Sequence, residues 1–198
     1  MEHENRPMDP RQLEFPTPVR SPRSYLLLAF QMVRSWLIYF AASFVAGLSM
    51  GRCFKKMSHG EPFPITDIWG GVFMISTLVA LVFGIFSLVF QMKLLYRCWL
   101  LIQDGYARTT PGKAIGFLFL PIFNFYWIFV AYYGLVEDMN AYVRRHGLNV
   151  PQVKGMLPLV ACILLLIPYV NSLGAVLFLP VMMTFAQTAA LLQAEKNR

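Results

Sequence analysis

Charge is scarce in this sequence. Only 14% of its residues are Asp, Glu, Lys or Arg, whereas 57% are hydrophobic. Soluble domains carry about a quarter charged residues, so an ordinary water-facing surface is excluded. Three uncharged runs each reach the roughly 30 Å needed to cross a bilayer core as a helix: 68–92, 114–136 and 156–193. The sequence therefore predicts an all-α, polytopic helical membrane protein with four to five transmembrane helices.

Groups that carry catalysis or bind metals are equally scarce. No Asp, Glu or His falls within a predicted membrane span, and the sequence lacks a phosphate-binding loop, a metalloprotease His pair and a hydrolase serine elbow. The three histidines lie outside the predicted spans, and the three cysteines are far apart: His3, His59, His146, Cys53, Cys98 and Cys162. We therefore expect no enzyme activity, no catalytic residue, no cofactor, no metal site and no disulfide.

The hydrophobic pattern predicts a single helical membrane domain over residues 25–193, between two solvated tails at 1–24 and 194–198. The first tail is rich in proline and poor in apolar side chains, which is typical of disorder. Helices are expected with approximate bounds 25–50, 68–104, 113–146, 155–170 and 174–193.

The last uncharged run has two interpretations. As one helix, residues 156–193 would be roughly 57 Å long, far more than a bilayer requires. Pro168, Asn171 and Gly174 favour a turn inside it. Its length therefore favours a helical hairpin, which gives five crossings. A single kinked helix with an overhanging end is the alternative, and it gives four.

Small residues recur at every fourth position of the first two predicted helices. The two sets are Ser43, Gly47 and Gly51, and Ser76, Ala80 and Gly84. Such stripes let helix backbones approach closely. We therefore expect the first two helices to pack directly on each other through these stripes.

The central run, 114–136, contains two residues that disturb an ordinary membrane helix. Pro121 removes one backbone hydrogen bond and predicts a kink. Asn124 places an amide near mid-membrane, so we expect it to face the bundle interior and bond a neighbouring helix or a freed carbonyl. Lining of a substrate cavity is the alternative. Pro121, Asn124 and the later Asn171 form the candidate intramembrane polar site.

Charged residues bound the central run. Lys113 precedes it, and an acidic and a basic pair follow it: Glu137, Asp138, Arg144 and Arg145. These four are expected to form a solvated helix end. Outside the membrane the helix is expected to continue as an amphipathic extension, with these residues at helical spacing: Leu135, Met139, Tyr142 and His146.

The central block also carries a resemblance. The stretch ARTTPGKAIGFLFLPIFNFYWIFVAYYGLVEDMN resembles the central motif, PGKAxGFLFxPxFNxYWxFxAxxGL, of a family of uncharacterised bacterial multi-pass membrane proteins. The preceding YRCWLLIQDG also matches, and the IPY turn near the C-terminus matches loosely. The resemblance implies a bacterial source and a location in the cell (inner) membrane. It transfers no catalytic or binding residue.

Lys and Arg positions predict topology. The positive-inside rule places the N-terminus and residues 93–113 in the cytoplasm, and residues 144–154 outside. The net charge of +7 is spread over tails and loops, which favours anionic lipid over nucleic acid as the charged partner.

The expected function is that of a non-catalytic membrane scaffold, accessory or sensor subunit. The small-residue stripes and the lack of catalytic groups favour it, and a homo-oligomer or a partner membrane protein is implied. The alternative is a small oligomeric transporter or lipid-handling protein, because helix breaks near Pro121 and Pro168 are typical of midplane binding sites.

Overall fold

The computed structural model describes residues 21–60, 67–168 and 170–197, apart from the side chains of Asn171 and Ser172. Most of the tail predicted to be disordered lies outside these residues. The described chain is all-helical, without a strand, and its helices are α1 (Arg23–Ser58), α2 (Ile68–Leu101), α3 (Pro111–Gly116), a 3₁₀ turn (Phe117–Phe119), α4 (Phe123–Ile128), a π-helical turn (Phe129–Tyr133), α5 (Gly134–Arg145), α6 (Met156–Leu166) and α7 (Asn171–Lys196).

Among the described residues, three helices are long and apolar enough to cross a membrane: α1, α2 and the part of α7 from Leu173 to Lys196. The expected membrane character is thus supported by length and composition. α6 has only 11 residues, roughly 16 Å, which is about half a bilayer core. The predicted count of four to five crossings stays a prediction.

The ends of α1 and α2 differ from their predicted bounds. α1 continues beyond residue 50 to Ser58, since its basic last turn (Lys55 and Lys56) favours the helix C-terminus. α2 stops at Leu101, three residues earlier than predicted. Gly105 adopts a φ of 86°, which suits glycine, and the chain turns there.

The chain divides into two compact units, one formed by Phe30–Gln91 and the other by Met92–Arg198 with the residues up to Ala29. In the first unit, α1 and α2 run antiparallel. A Cβ on Gly84 would lie 3.3 Å from the Tyr39 ring, and the Arg52 guanidinium lies 3.7 Å from the centre of the Trp69 ring. The single-domain prediction is not tested by this division.

The small-residue stripes behave differently in the two helices. Ser76 and Ala80 of α2 are buried, as the prediction requires. On α1, by contrast, the buried small residues are spaced by seven: Ser35, Ala42 and Ser49. Gly47 lies five residues after Ala42, roughly 140° around the helix. The prediction is therefore wrong for the α1 stripe, whose Gly47 and Gly51 are exposed.

The second unit has its core where the end of α2 meets α5 and α7. Its largest fully buried side chains include Trp99, Leu135, Met139 and Phe185. The predicted amphipathic extension is confirmed: Leu135, Met139 and Tyr142 are buried, and His146 stacks on Tyr142 with ring centres 4.1 Å apart.

The predicted single helix over 113–146 is wrong, because the chain reverses direction inside it. Trp127 Nε1 of α4 donates to the Ala114 carbonyl of α3, 3.1 Å away, and the rings of Phe117 and Trp127 pack edge to face at 4.8 Å. The reversal combines the 3₁₀ turn, Pro121 and Ile122, whose φ is 67°. Residues 111–128 form a helical hairpin, which we call the first hairpin.

α6 and α7 form the second hairpin, and the chain turns between these two helices. Its helices approach so closely that a Cβ on Gly174 would lie 2.6 Å from the Leu165 backbone nitrogen. Of the two interpretations of the last uncharged run, the structure has the hairpin.

Candidate functional site

A group of charged side chains joins the loop after α2 to the start of α5. Arg108 Nε donates to Asp138 Oδ1 at 2.9 Å and Nη2 donates to Glu137 Oε2 at 2.7 Å. The Arg108 backbone N–H donates to Asp138 Oδ2 at 2.9 Å. Both carboxylates thus bind one arginine, and this Arg108 cluster fixes residue 108 against α5.

Two glycines allow this close packing. A Cβ on Gly134 would lie 3.2 Å from Arg108 Cδ, and a Cβ on Gly155 would lie 3.0 Å from the Tyr133 ring. Tyr133 in turn hydrogen-bonds Glu137. Hydrogen bonds from Tyr133 and Arg108 lower the pKa of Glu137 below its ordinary value, so its carboxylate stays ionised.

A second ion pair joins the same loop to the end of α5. Asp104 is completely buried, and its Oδ2 accepts hydrogen bonds from Arg145 Nη2 and Nε at 2.6 and 2.9 Å. Its Oδ1 accepts from the Tyr106 backbone N–H at 3.0 Å. The Arg145 guanidinium lies 5.3 Å from the Tyr106 ring centre. Asp104 therefore fixes both the loop's turn and the last turn of α5.

The expectation of a solvated helix end is therefore wrong for Asp138, which is buried. Glu137, Arg144 and Arg145 are exposed, although Glu137 and Arg145 are also held in ion pairs. No pattern in the sequence identified the two loop partners, Asp104 and Arg108. They lie 41 and 30 positions from their partners, beyond the reach of any local spacing rule.

The π-helical turn lies beside the Arg108 cluster. Trp99 Nε1, which is buried, donates to the Ala131 carbonyl at 3.1 Å. The Cys162 thiol lies 3.8 Å from the Ile128 carbonyl. A π turn leaves carbonyls without their usual helical donors, and these side chains supply donors from α2 and α6. The π turn is thus where α2, α5 and α6 are joined.

The predicted polar site occupies the turns of the two hairpins. Pro121 and Asn124 lie at the turn of the first hairpin, and both are exposed. Asn171 begins α7, just after the turn of the second, and its side chain lies outside the described part. The expectation that Asn124 faces the bundle interior is wrong, because the reversal at Ile122 turns that residue outward. The polar site itself stays a prediction.

A groove of about 420 Å³ lies between the loop before α6 and the second half of α7. Its apolar residues are Val153, Leu157 and Leu191, and its polar ones include Lys154, Thr184 and Gln187. Asn140 holds one wall, since its amide exchanges two 2.8 Å hydrogen bonds with the Val153 backbone. The groove is therefore lined by both apolar and polar side chains, with one lysine among them.

Among the residues described, no group of three or more His, Cys, Asp or Glu is arranged to hold a metal ion. The grouped charges bind one another and hold a loop on a helix. Comparisons with protein-family models, with curated proteins and with solved structures gave no match.

Proposed function

We propose that this chain is a multi-pass protein of a bacterial cell membrane, acting without catalysis as a scaffold, accessory or sensor subunit through contacts between helices. The observation that carries the proposal is the outward position of Gly47 and Gly51 on α1. A Cβ on either glycine would have no neighbour within 4 Å among the described residues. Flat small-residue surfaces are what membrane helices use to pack on other helices.

The surroundings of these glycines support the same function. Neighbouring side chains on the outer face of α1 are large and apolar, including Phe44 (69% exposed) and Leu48 (56% exposed). Large apolar side chains of this kind can face lipid. The helix backbone exposed at the two glycines, by contrast, makes closer van der Waals contacts with another helix than with lipid. A second copy of this chain or a partner membrane protein fits that surface.

The use of charge supports a role without catalysis. Catalytic groups need pKa values and positions matched to a substrate. In the Arg108 cluster, the hydrogen bonds instead keep Glu137 ionised and keep it bound to its neighbours. Asp104 is likewise fully engaged by Arg145 and by the Tyr106 backbone.

The test substitutes bulk into the stripe. The measurement is co-purification, in mild detergent, of a differently tagged copy or of a partner membrane protein. Gly47→Leu should reduce it about tenfold, which corresponds to a loss of ~1.4 kcal/mol of packing energy. Gly71→Leu on α2 is the matched control, because a Cβ there also meets nothing within 4 Å. Equal recovery of partners with both variants, or isolation of the chain always alone, would contradict the proposal.

Lipid handling is the second candidate function, and the groove beside Lys154 favours it. Its apolar side chains suit an acyl chain and its lysine suits a phosphate. Gln187→Trp should fill the groove and reduce the phospholipid that co-purifies, as measured by lipid mass spectrometry. Gln31→Trp adds the same bulk at an exposed position of α1 and should not reduce it. Unchanged lipid content in both variants would reject this alternative.

A further inference from the structure

We infer that the first and second hairpins both enter the membrane from the side that carries the Arg108 cluster and turn back within one leaflet, so that the exposed apolar side chains at their turns contact acyl chains. This inference rests on the proposed membrane location but not on the scaffold role. It changes the predicted topology, which places residues 93–113 and 144–154 on opposite sides.

The two ion pairs fix the side. Asp104 and Arg108 precede the first hairpin, whereas Arg145 and Asp138 follow it. Asp104 contacts Arg145, and Arg108 contacts Asp138. A segment that crossed the bilayer would separate such residues by about 30 Å. Residues 111–133 therefore return to the side from which they start.

The base of the second hairpin lies on that side too. The Asn140 side chain of α5 is bonded to the Val153 backbone, just before α6. Tyr133 packs on Gly155. α7 then runs back from residue 171, and Thr184 and Thr188 line a groove with Val153 and Leu157. The later part of α7 is buried beside the end of α2, where the Cys98 thiol lies 3.9 Å from the Phe185 carbonyl.

The hairpins have matching depths. α3 has six residues and the 3₁₀ turn has three, together roughly 15 Å. α6, with 11 residues, spans roughly 16 Å. Either length is about half of a ~30 Å hydrocarbon core. Both hairpins thus have the length to end near the midplane.

The turn of the first hairpin is suited to lipid because four of its backbone N–H groups are bonded within the turn, which lowers the cost of placing them in hydrocarbon. Leu120 N–H donates to the Phe117 carbonyl and Phe123 N–H to the Pro121 carbonyl. Asn124 N–H donates to the Leu120 carbonyl and Phe125 N–H to the Ile122 carbonyl. Pro121 has no N–H. Side chains at the turn are large, apolar and strongly exposed: Phe119 63%, Ile122 84% and Phe125 60%.

Cations occupy the bases of both hairpins. Lys113 lies in the first turn of α3, Lys154 lies just before α6, and both are exposed, as is Arg144 at the end of α5. Positive side chains at this level suit lipid phosphates, and apolar turns suit acyl chains. The surface as a whole therefore fits one leaflet of an anionic bilayer.

The other side of the membrane is marked by the far end of α1. The Ser24 carbonyl accepts a hydrogen bond from Arg97 Nη1 at 3.4 Å, so α1 begins beside the end of α2. α1 has 36 residues, roughly 54 Å. Lys55 lies in its last turn and is exposed. A crossing by α1, which is part of the proposed membrane location, would put Lys55 on the side away from the start of the helix.

The inference is tested by labelling introduced cysteines of the full chain with a maleimide that cannot cross the membrane. Intact cells show which cysteines face outward, and permeabilised cells show which of the others face inward. The native cysteines are buried, so the unsubstituted protein is the blank. We expect labelling from the same side of the membrane for three variants: Lys113→Cys, Arg144→Cys and Lys154→Cys. Lys55→Cys should be labelled from the other side. Labelling of Arg144→Cys and Lys154→Cys together with Lys55→Cys would overturn the hairpins. Labelling of all four from one side would instead overturn the crossing by α1, and with it the proposed membrane location.

Depth is measured with an environment-sensitive fluorophore on Ile122→Cys, in vesicles of phosphatidylcholine and phosphatidylglycerol. Its emission should be that of an apolar site and should be quenched most by spin labels deep in the acyl chain. The same fluorophore on Arg144→Cys is the control and should report water. Water-like emission at position 122 would overturn insertion of the hairpin, whatever the scaffold test gives.

Discussion

Arg145 Nη2 lies 2.6 Å from Asp104 Oδ2, and the 40 residues between these side chains include the whole first hairpin. The exposed fraction of the Asp104 side chain is zero, and that of Arg145 is 29%. Because Asp104 and Arg145 flank the central apolar run, 114–136, their contact requires that run to reverse. The pair therefore links a local electrostatic contact to the topology of the membrane domain.

Asp104→Asn should destabilise the protein by about 2–4 kcal/mol, because it removes the buried charge that neutralises Arg145. The loss of stability is measured as a fall in the thermal midpoint in detergent. Where unfolding is reversible, denaturant titration gives the free energy of unfolding. Arg144→Gln is the control: it changes an exposed arginine one position earlier and should alter stability by less than about 0.5 kcal/mol. Equal effects of the two substitutions would show that the Asp104–Arg145 pair does not hold the loop.

The sequence predicts the helical class and most helix positions well, because apolar runs and proline or glycine punctuation are local signals. α2 and the second hairpin are examples. It fails at the central run because hydropathy records how many apolar residues follow each other and not the direction of the chain. Pro121 was expected to bend a helix, but with the 3₁₀ turn and the positive φ of Ile122 it reverses one.

The candidate site was predicted less well for a related reason. Glu137, Asp138 and Arg145 are visible in the sequence as charges after an apolar run, which is the normal pattern of a solvated helix end. Their true partners, Arg108 and Asp104, lie in a loop whose fold depends on tertiary contacts. The α1 stripe failed because a small-residue pattern identifies a face suited to packing but does not identify its partner.

The Arg108 cluster should weaken in acid. The pKa of Glu137 is lowered by Tyr133 and Arg108, so its stabilising contribution is fully present above the ordinary glutamate pKa of about 4.3 and is lost as pH falls through the lowered value. The thermal midpoint of the wild type should therefore fall with pH in that window. Glu137→Gln should remove this part of the dependence; an identical pH profile for the variant would contradict the assignment.

Gly174→Ala should destabilise the second hairpin by about 1–3 kcal/mol, because the new methyl group would meet the backbone of α6. The relevant distance, 2.6 Å to Leu165 N, is to an atom that cannot rotate away. Gly116→Ala is the matched control within a helix; its Cβ meets nothing within 4 Å and the change should be neutral or stabilising. Equal thermal midpoints for the two variants would argue against the close crossing of α6 and α7.

Asn124→Leu should leave the thermal midpoint unchanged or raise it. The Asn124 side chain is exposed at the first hairpin turn, and an amide in hydrocarbon is costly without a partner. Leucine retains the size and removes that cost. A loss of more than about 2 kcal/mol, the cost of an orphaned buried partner, would show that the Asn124 amide is hydrogen-bonded to a buried group. Loss of partner recovery at unchanged stability would place it in a functional contact.

The most direct test of the reversed central run is a cross-link between Asp104→Cys and Arg145→Cys in native membranes. It is formed with a short bis-maleimide, which spans the length of the replaced side chains, and is mapped by peptide mass spectrometry. Replacing both residues leaves no orphaned charge. Asn140→Cys with Val153→Cys is the control pair, since these residues are adjacent without spanning the central run. We predict an intramolecular 104–145 link in yield comparable to the control. A strong 140–153 link with no 104–145 link would contradict the first hairpin. It would favour a central run that crosses the membrane between residues 104 and 145.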